Sequence, residues 1–248
     1  PRAGGRASAH RRALRTVAPR RPVRSRAVPA PLDIDGQKRA AAQAAAQLVE
    51  DGQRVGLGTG STVAHLLPAL AARRLPRLRC VATSPATLAA ARALGLHVEP
   101  FTALDALDIA IDGADQVAPD GWLVKGGGGA HLREKIVAAA ARRFVVIVSS
   151  DKPVPALRPP VPVELVAFGL AATLRQLPDA RLRDAPPTPD GGVLADVHAP
   201  FDDPAALAAR LDAVPGVAAH GLFGPELTTD VLVAGPDGAV DHRVLRAT

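Results

Sequence analysis

The chain has 248 residues, of which 48% are hydrophobic, so it is long and apolar enough to bury the core of one large domain or two small ones. Its net charge of +6 points to a nucleic-acid partner. However, nine Arg and no acidic residue lie in residues 1–32, and residues 33–248 carry a net charge of −3. Five Phe, one Trp and no Tyr leave few side chains on which bases can stack, so we predict no nucleic-acid partner.

A single cysteine, Cys80, excludes an intrachain disulfide and is typical of a reducing compartment. No apolar run reaches the ~18 residues that span a bilayer, so no membrane partner is predicted. Residues 1–31 are rich in Arg, Ala and Pro and contain no continuous apolar segment. This composition is typical of an organelle transit peptide, with a disordered basic arm or a mis-called start as the alternatives. Because the sequence begins at Pro1 and contains no Met, we expect further residues before it.

From Leu32 onward, apolar runs typical of strands alternate with helical patterns. Strands are predicted at residues 54–58, 78–84, 96–101, 107–112, 122–125 and 143–150, and helices at 37–51, 63–74, 85–95 and 132–143. Gly52 is placed to end the first helix, and Pro68 predicts a kink or a break in the second. The alternation indicates a doubly wound, mostly parallel α/β sheet of the Rossmann-like type.

The pattern changes at Pro159-Pro160. Beyond it we predict strands at 161–168, 180–185, 193–199 and 216–223, helices at 169–177 and 203–214, and a turn at 189–192. This βαββαβ order is ferredoxin-like, and a buried strand at 228–235 is expected to return to the first sheet. The predicted domains are a leader (1–31), a Rossmann-like catalytic domain (32–159 with 224–248) and a smaller inserted α+β domain (160–223).

The glycine cluster VGLGTGST, residues 55–62, is open to several interpretations. It departs from a dinucleotide-binding motif because Ser61 occupies the third glycine position and no acidic residue ends the next strand. A methyltransferase motif for S-adenosylmethionine lacks its acidic residue here for the same reason. Two interpretations remain. One is a phosphate site made by backbone N–H groups with the Ser61 and Thr62 hydroxyls, and the other is a tight turn with a helix N-cap.

Residues 111–135 contain four ionisable groups, Asp112, Asp115, Lys125 and Glu134, each of which lies where a predicted element begins or ends. All four can therefore converge on one cleft. Turn chemistry also explains the two aspartates, and solvation explains the lysine and the glutamate. Together with a phosphate site, the four groups suggest proton transfer beside the carbonyl of a phosphorylated polyol. No zinc-ligand spacing appears, so no metal and no cofactor are predicted.

The helix after the glycines is predicted to bury one stripe at helical spacing, formed by Leu132, Ile136, Ala139 and Arg143. Glu134 would then point away from the buried stripe, in a first turn where the helix dipole favours an ionised carboxylate. His131 lies beside the glycines, and we expect it to be structural rather than a base.

The motifs VGLGTGST, IDGAD, LVKGGGGAHLREKIV, VPVELV and HGLF occur in this order, with a lysine after the fifth strand. From about Leu32 to its end, the chain resembles ribose-5-phosphate isomerase of the A type, most closely the plant-like branch. The resemblance implies that ribose 5-phosphate and ribulose 5-phosphate interconvert through an enediolate, in the pentose phosphate pathway or the Calvin cycle. It also implies a homodimer or homotetramer without a metal. With the leader, it implies a chloroplast stroma location, with cytoplasmic or mitochondrial locations as alternatives.

By the same resemblance, Glu134 is the base that carries the proton between C2 and C1. Lys125 would stabilise the enediolate oxygen, while Asp112 and Asp115 would hold the sugar hydroxyls and assist ring opening. The other expected contacts with sugar or phosphate are Thr59, Gly60, Ser61, Thr62, Gly113, Ala114, Gly126, Gly127, Gly128, Lys152 and Lys38.

Two positions depart from the family pattern. Gln116 stands where the family usually has Glu, and it is expected to lie outside the substrate contacts. His131 replaces a small or aliphatic residue and is expected to alter the packing beside the glycines. The competing class is a sugar-phosphate-sensing regulator of similar fold. Such a regulator would not need the acid and lysine set, and it would carry a helix-turn-helix, of which residues 1–31 show no pattern.

Overall fold

The computed structural model describes Gly4 and residues 31–246, so the predicted leader lies almost wholly outside the described residues. The chain divides into Pro1–Ala30 and Pro31–Thr248, and the second unit holds every described helix and strand. The helices are α1 (Ile34–Ala46), α2 (Ser61–Ala72), α3 (Pro85–Ala93), α4 (His131–Ala140), α5 (Leu170–Gln176) and α6 (Pro204–Asp212). The strands are β1 (Arg54–Leu57), β2 (Arg79–Ala82), β3 (Leu107–Asp112), β4 (Gln116–Val117), β5 (Leu123–Val124), β6 (Ala141–Ser149), β7 (Val161–Leu165), β8 (Ala180–Leu182), β9 (Val193–Val197), β10 (Val217–His220), β11 (Leu222–Phe223), β12 (Asp230–Ala234) and β13 (Val240–Val244).

Capping residues set where several helices begin. The Asp33 carboxylate accepts the Gly36 N–H at 2.7 Å, so α1 begins three residues before the predicted start. Ser84 caps α3 through the Thr87 N–H, and Pro85 follows in the first helical turn, where a missing N–H costs nothing.

The second helix, α2, continues through Pro68, so the predicted break is wrong and the helix stays whole.

A six-stranded sheet forms the centre of the molecule, in the order β13-β12-β6-β3-β1-β2. All its neighbouring strands are parallel except β13, which pairs antiparallel with β12 at one edge. The strand predicted at 228–235 does return to this sheet as β12. The predicted doubly wound α/β class is confirmed, and the strand order reverses between β1 and β3.

Successive side chains of a strand point to opposite faces, so the apolar strands of the central sheet form a core on each face. Ile109 and Ile111 of β3 belong to the core under α1 and α2. Ala110, between them, belongs to the core on the opposite face, where Val137 of α4 packs. Gly56 of β1 makes this close approach possible, since a Cβ there would lie 2.4 Å from Val137 Cγ1.

A second sheet has the order β10-β7-β9-β8, with every neighbouring pair antiparallel. With α5 and α6 between the strands, this is the predicted βαββαβ order, while the domain boundaries themselves stay a prediction. The run predicted as one strand at 216–223 is divided instead. β10 belongs to the second sheet, and β11 joins β5 and β4 in a third. Gly221 marks the crossing, where a Cβ would lie 2.1 Å from the Lys125 carbonyl oxygen.

Two edge predictions differ from the structure. Residues 96–101 form only an isolated bridge, in which Cys80 pairs with Val98, rather than a full strand. Pro100 has no N–H to extend that pairing, and a short 3₁₀ turn follows it. The strand β13 was not predicted, because it is largely exposed and has no apolar alternation. None of the helices in residues 31–246 combines the length and apolar character that a bilayer crossing requires.

The buried face of α4 is also different from the prediction. The helix ends at Ala140, and it buries His131, Glu134, Val137 and Ala138. Ile136 is 50% exposed, whereas Glu134 is only 4% exposed, so the predicted stripe and the outward direction of Glu134 are wrong. Apolar spacing alone favoured the other face. The structure buries the glutamate because a buried lysine lies opposite it.

Candidate active site

A cavity of about 240 Å³ lies at the carboxyl ends of the central strands. Thr59 follows the end of β1, and Asp112 ends β3, so the cavity lies at the point where the strand order reverses. Open α/β sheets bind ligands at such points. The residues around the cavity are Lys38, Thr59, Gly60, Ser61, Thr62, Gly113, Ala114, Asp115, Lys125, Gly126, Gly127, Gly128, Glu134 and Lys152. All of them belong to the predicted site, and the one predicted residue that does not line the cavity is Asp112.

Three charged side chains meet at the wall of this cavity, and each of them is at most 4% exposed. Lys125 Nζ lies 2.9 Å from Asp112 Oδ2 and 3.2 Å from Glu134 Oε2. The same ammonium group donates to the carbonyl oxygen of Gly113. One buried cation is therefore shared by two carboxyl groups, and when both are ionised this arrangement has one negative charge in excess.

The pKa of Glu134 is raised in this group. Burial raises the pKa of Glu134 to about 7, and repulsion from Asp112 adds to this, while Lys125 opposes it. Burial by itself would lower the pKa of Lys125, but attraction from Asp112 and Glu134 outweighs it and raises that pKa. Near neutral pH the site thus holds a fixed cation beside a carboxyl group that can both take up and release a proton.

Asp112 lies behind the cavity wall and fixes the parts around it. Its Oδ1 accepts the Thr59 N–H at 3.0 Å and the Gly113 N–H at 2.7 Å, while its Oδ2 accepts from Lys125. No side chain fits at Gly58, because a Cβ there would lie 2.0 Å from Asp112 Cγ. The turn after β1 is therefore held directly against the carboxylate that ends β3.

At the other end of the cavity, α2 begins without a side-chain cap. Gly60, at φ +117°, is the N-cap residue, and no side chain bonds to the first N–H groups of the helix, so the turn contains a helix N-cap but no side-chain cap. The first N–H groups of the helix and the positive end of its dipole face the cavity, as in anion sites. Thr59 Oγ1 lies 2.7 Å from Thr83 Oγ1, which fixes the turn from β2.

Two lysines also line the cavity. Lys38 comes from α1, and Lys152 comes from the turn after β6. Gln37 joins these two segments, because its Oε1 accepts from the Ser150 N–H at 3.0 Å and from Ser150 Oγ at 2.8 Å. Gln37 is buried, so this side-chain link ties the segment that carries Lys152 to the helix that carries Lys38, and no sequence motif revealed it.

The glycine loop, residues 126–129, forms the remaining side. Gly126 has φ +105°, and a Cβ there would lie 2.7 Å from His131 Nδ1, so only glycine fits. The Gly127 N–H donates to Asp115 Oδ2 at 2.8 Å. Arg183 was not expected at the site, yet it donates to the carbonyl oxygens of Gly126 and Gly127. No local sequence signal marks Arg183, since it comes from the second sheet.

Comparison with known proteins decides which family has this site. The family model for ribose 5-phosphate isomerase A (phosphoriboisomerase A) matches residues 79–238. A curated relative, ribose-5-phosphate isomerase A of Caulobacter vibrioides, is 44% identical over 224 residues, which cover 84% of this chain and 98% of the relative. The chain belongs to the ribose-5-phosphate isomerase A family. This family of enzymes interconverts ribose 5-phosphate and ribulose 5-phosphate, and the prediction that the chain is an enzyme is confirmed.

Solved structures of ribose-5-phosphate isomerases have the same fold. The enzyme of Neisseria gonorrhoeae has a TM-score of 0.82 and 30% identity, and the match covers 88% of this chain and 100% of that one. A D-ribose-5-phosphate isomerase in complex with phospho-erythronic acid has a TM-score of 0.81 and 30% identity, covering 86% of this chain and 100% of that one. The curated relative is bacterial, so it gives no support to the predicted plant-like branch.

The two departures from the isomerase family pattern now have a structural account. Gln116 does not line the cavity, and its amide exchanges two hydrogen bonds of 2.8 Å with the backbone of Arg158. His131 is fully buried, and burial together with the nearby Lys135 lowers its pKa to about 4, so its ring is neutral. Both residues are structural here. In residues 31–246, no cluster of His, Cys, Asp or Glu has the arrangement of a metal site.

Proposed function

We propose that this cavity is the isomerase site and that Glu134 is the base that moves the proton between C2 and C1 through an enediolate. The observation that supports this role most strongly is the buried Glu134 carboxyl at the cavity wall, with its pKa raised to about 7 by burial and by Asp112. A base that takes a proton from carbon and returns it to the adjacent carbon works best when its pKa is near the working pH.

Lys125 is the electrostatic partner of this step. As the proton leaves carbon, negative charge grows on the neighbouring oxygen, and the Lys125 ammonium is fixed beside Glu134 before the substrate arrives. Asp115 lines the cavity and is placed to hold sugar hydroxyls. Asp112 was expected to hold sugar hydroxyls, but we assign it a different role because it lies behind the cavity wall. Its part is to hold Lys125 and the Thr59 turn in position.

The phosphate end of the sugar is assigned to the start of α2. The N–H groups of Ser61 and Thr62, with the side chains of Lys38 and Lys152, form a positively charged end of the cavity. Binding energy from the phosphate, far from the reacting carbons, then holds C1 and C2 beside Glu134. We expect inorganic phosphate and sulfate to compete with the substrate, and unphosphorylated ribose to be a very poor substrate.

Replacing Glu134 by Gln tests the base. The amide has nearly the same size but cannot take up a proton, so we expect a loss of about 10²–10⁴-fold in turnover in a coupled isomerase assay. In deuterium oxide the wild type should place solvent deuterium on the carbon that is reprotonated. Glu164→Gln is the matched control, because Glu164 is 2% exposed, bonds to Thr188 and lies outside the cavity. Turnover of Glu134→Gln within about threefold of wild type would remove Glu134 from this role.

We further propose a homodimer or homotetramer. Phe168 is 92% exposed and Val166 is 45% exposed, so this turn presents apolar surface that a second copy would cover. Light scattering coupled to size-exclusion chromatography measures the mass directly. A species of 25.4 kDa at micromolar concentration would contradict the proposal.

We propose that the protein acts in the chloroplast stroma, and therefore in the Calvin cycle. The Arg-rich, acid-free composition of residues 1–31 supports this location. The plant-like branch is proposed on the same ground. A reporter fused to residues 1–31 should enter isolated plastids but not mitochondria. A chain that begins at Leu32 should keep its activity, because the leader lacks the apolar residues to contribute to a core. Import into mitochondria alone, or into neither organelle, would exclude the stromal address.

A further inference from the structure

Arg183 joins the second sheet to the glycine loop of the proposed active site. It follows β8, and its Nη1 donates to the carbonyl oxygens of Gly126 at 2.8 Å and Gly127 at 3.3 Å. The other edge of the guanidinium is held by Asp196 of β9, with Nε to Oδ2 at 2.8 Å and Nη2 to Oδ1 at 2.6 Å. The planar guanidinium therefore donates hydrogen bonds from two edges, to Asp196 on one and to the glycine carbonyls on the other. A lysine ammonium cannot reproduce this geometry.

These contacts fix the direction of two peptide groups. In a trans peptide, the N–H points away from the C=O of the same unit. With the Gly126 and Gly127 carbonyls turned toward Arg183, the N–H groups of Gly127 and Gly128 point the opposite way. The Gly127 N–H does so, since it donates to Asp115 Oδ2 at 2.8 Å. In residues 31–246 the Gly128 N–H has no protein acceptor, and Gly128 lines the cavity.

A loop of four glycines has no side chains with which to hold this orientation. Gly126 and Gly129 have φ values of +105° and +72°, and glycine peptides rotate with little steric resistance. Within the loop, the Gly129 N–H donates to the Gly126 carbonyl at 3.0 Å, but it does not hold the Gly127 carbonyl. Arg183 is the group that contacts both oxygens, and it does so from a different sheet.

We propose that Arg183 is a positioning residue for the isomerase reaction. It holds the glycine loop so that the Gly128 N–H points at the oxygen on which charge develops and the Gly127 N–H orients Asp115. This inference rests on the proposed function of the cavity. A preset N–H dipole stabilises the developing oxyanion more than the neutral carbonyl, so the effect belongs to turnover rather than to substrate binding.

The test compares Arg183→Ala and Arg183→Lys with wild type. We expect kcat to fall by about 10- to 100-fold in both, because small errors of position at a reacting centre have effects of this size. The KM for ribose 5-phosphate and the inhibition constant of inorganic phosphate should stay within about threefold, since the start of α2 is untouched. Added guanidinium ion should restore part of the turnover of Arg183→Ala and leave wild type unchanged.

Arg133→Ala is the matched control. Like Arg183, Arg133 forms a bidentate pair with an aspartate. Its partner is Asp190, at 2.7 and 2.8 Å, so this pair joins α4 to the turn between β8 and β9. Arg133 contacts no loop carbonyl, so its removal should leave kcat unchanged. An equal loss of kcat in Arg133→Ala, or a kcat of folded Arg183→Ala within about threefold of wild type, would overturn the proposal.

Two further variants keep the test decisive. If Arg183→Ala does not fold, Asp196→Asn keeps the arginine and weakens its anchor, so a smaller loss of kcat in the same direction is expected. Unchanged kcat in both Asp196→Asn and Arg183→Lys would overturn the role of Arg183. Glu134→Gln, measured in the same assay, separates the two proposals. If it is inactive while the Arg183 variants are active, this inference alone fails, and if it is active, the proposed function fails.

Discussion

Asp112→Asn should move the pH dependence of the enzyme. The base Glu134 must be ionised to take a proton, so kcat/KM should fall as the pH drops below about 7, the value to which burial and Asp112 raise the pKa of Glu134. Asparagine has nearly the same shape as aspartate but carries no charge. Removing the charge removes a repulsion that disfavours ionised Glu134, so the acidic limb should move to lower pH.

The size of this movement follows from the geometry. Asp112 Oδ2 and Glu134 Oε2 contact the same Lys125 nitrogen, at 2.9 and 3.2 Å. The two oxygens are thus no more than about 6 Å apart, where an effective dielectric constant of about 20 gives a repulsion of about 3 kcal/mol. Because about 1.4 kcal/mol corresponds to one pKa unit, we expect the limb to move down by about one pH unit or more, allowing for the lysine between them.

The assay is kcat/KM for ribose 5-phosphate from about pH 5 to pH 9, with the residual rate followed at high enzyme concentration. Absolute rates should fall as well, since Lys125 and the Thr59 turn lose an anchor. Asp108→Asn is the control. Asp108 lies on the same strand but pairs with Arg54, so the limb should not move. If the acidic limb of the Asp112→Asn profile stayed near pH 7, the charge of Asp112 would not be what raises the pKa that this limb measures.

Two other substitutions test the phosphate end and the sheet. Lys152→Ala should raise KM by about 10- to 100-fold, the range for a hydrogen bond to a charged group, while kcat changes little; an equal fall in kcat would show that Lys152 acts on the reaction itself. Asp230→Asn should destabilise the fold in urea unfolding at pH 7 by about 2–3 kcal/mol, less than for a fully buried pair because Arg143 is 28% exposed. Burial would raise the pKa of Asp230, but Arg143, His242 and Thr229 outweigh it and lower that pKa to about 2. The stabilisation is therefore present above the ordinary aspartate value and is lost as the pH falls toward about 2, so the difference from wild type should shrink in acid; a constant difference would contradict this account.

The order of strands and helices was predictable because it depends on local pattern. Apolar runs and glycine or proline turns act over a few positions, and they predicted the parallel sheet and the βαββαβ order. The Thr59 turn, Asp112 and Lys152 were expected in one crevice because the ends of parallel strands meet at one edge of a sheet, while the remaining site residues were expected from the family resemblance. Thr59 and Lys152 line the cavity, and Asp112 lies directly behind it.

The face of α4, the isolation of Asp112 from the cavity and the contact of Arg183 with the glycine loop were decided only by the tertiary structure. Apolar spacing favoured an outward Glu134, since burying a carboxylate is costly unless a partner is present. That partner, Lys125, directly follows the strand β5, and the distance between them is set by how α4 packs on the sheet. Arg183 lies 56 residues from Gly127 in the chain, and its contact exists only because two sheets meet there. A single sequence carries no periodicity that links such distant positions, so the charges of this site could be listed from the sequence, but their pairing and their acidity could not.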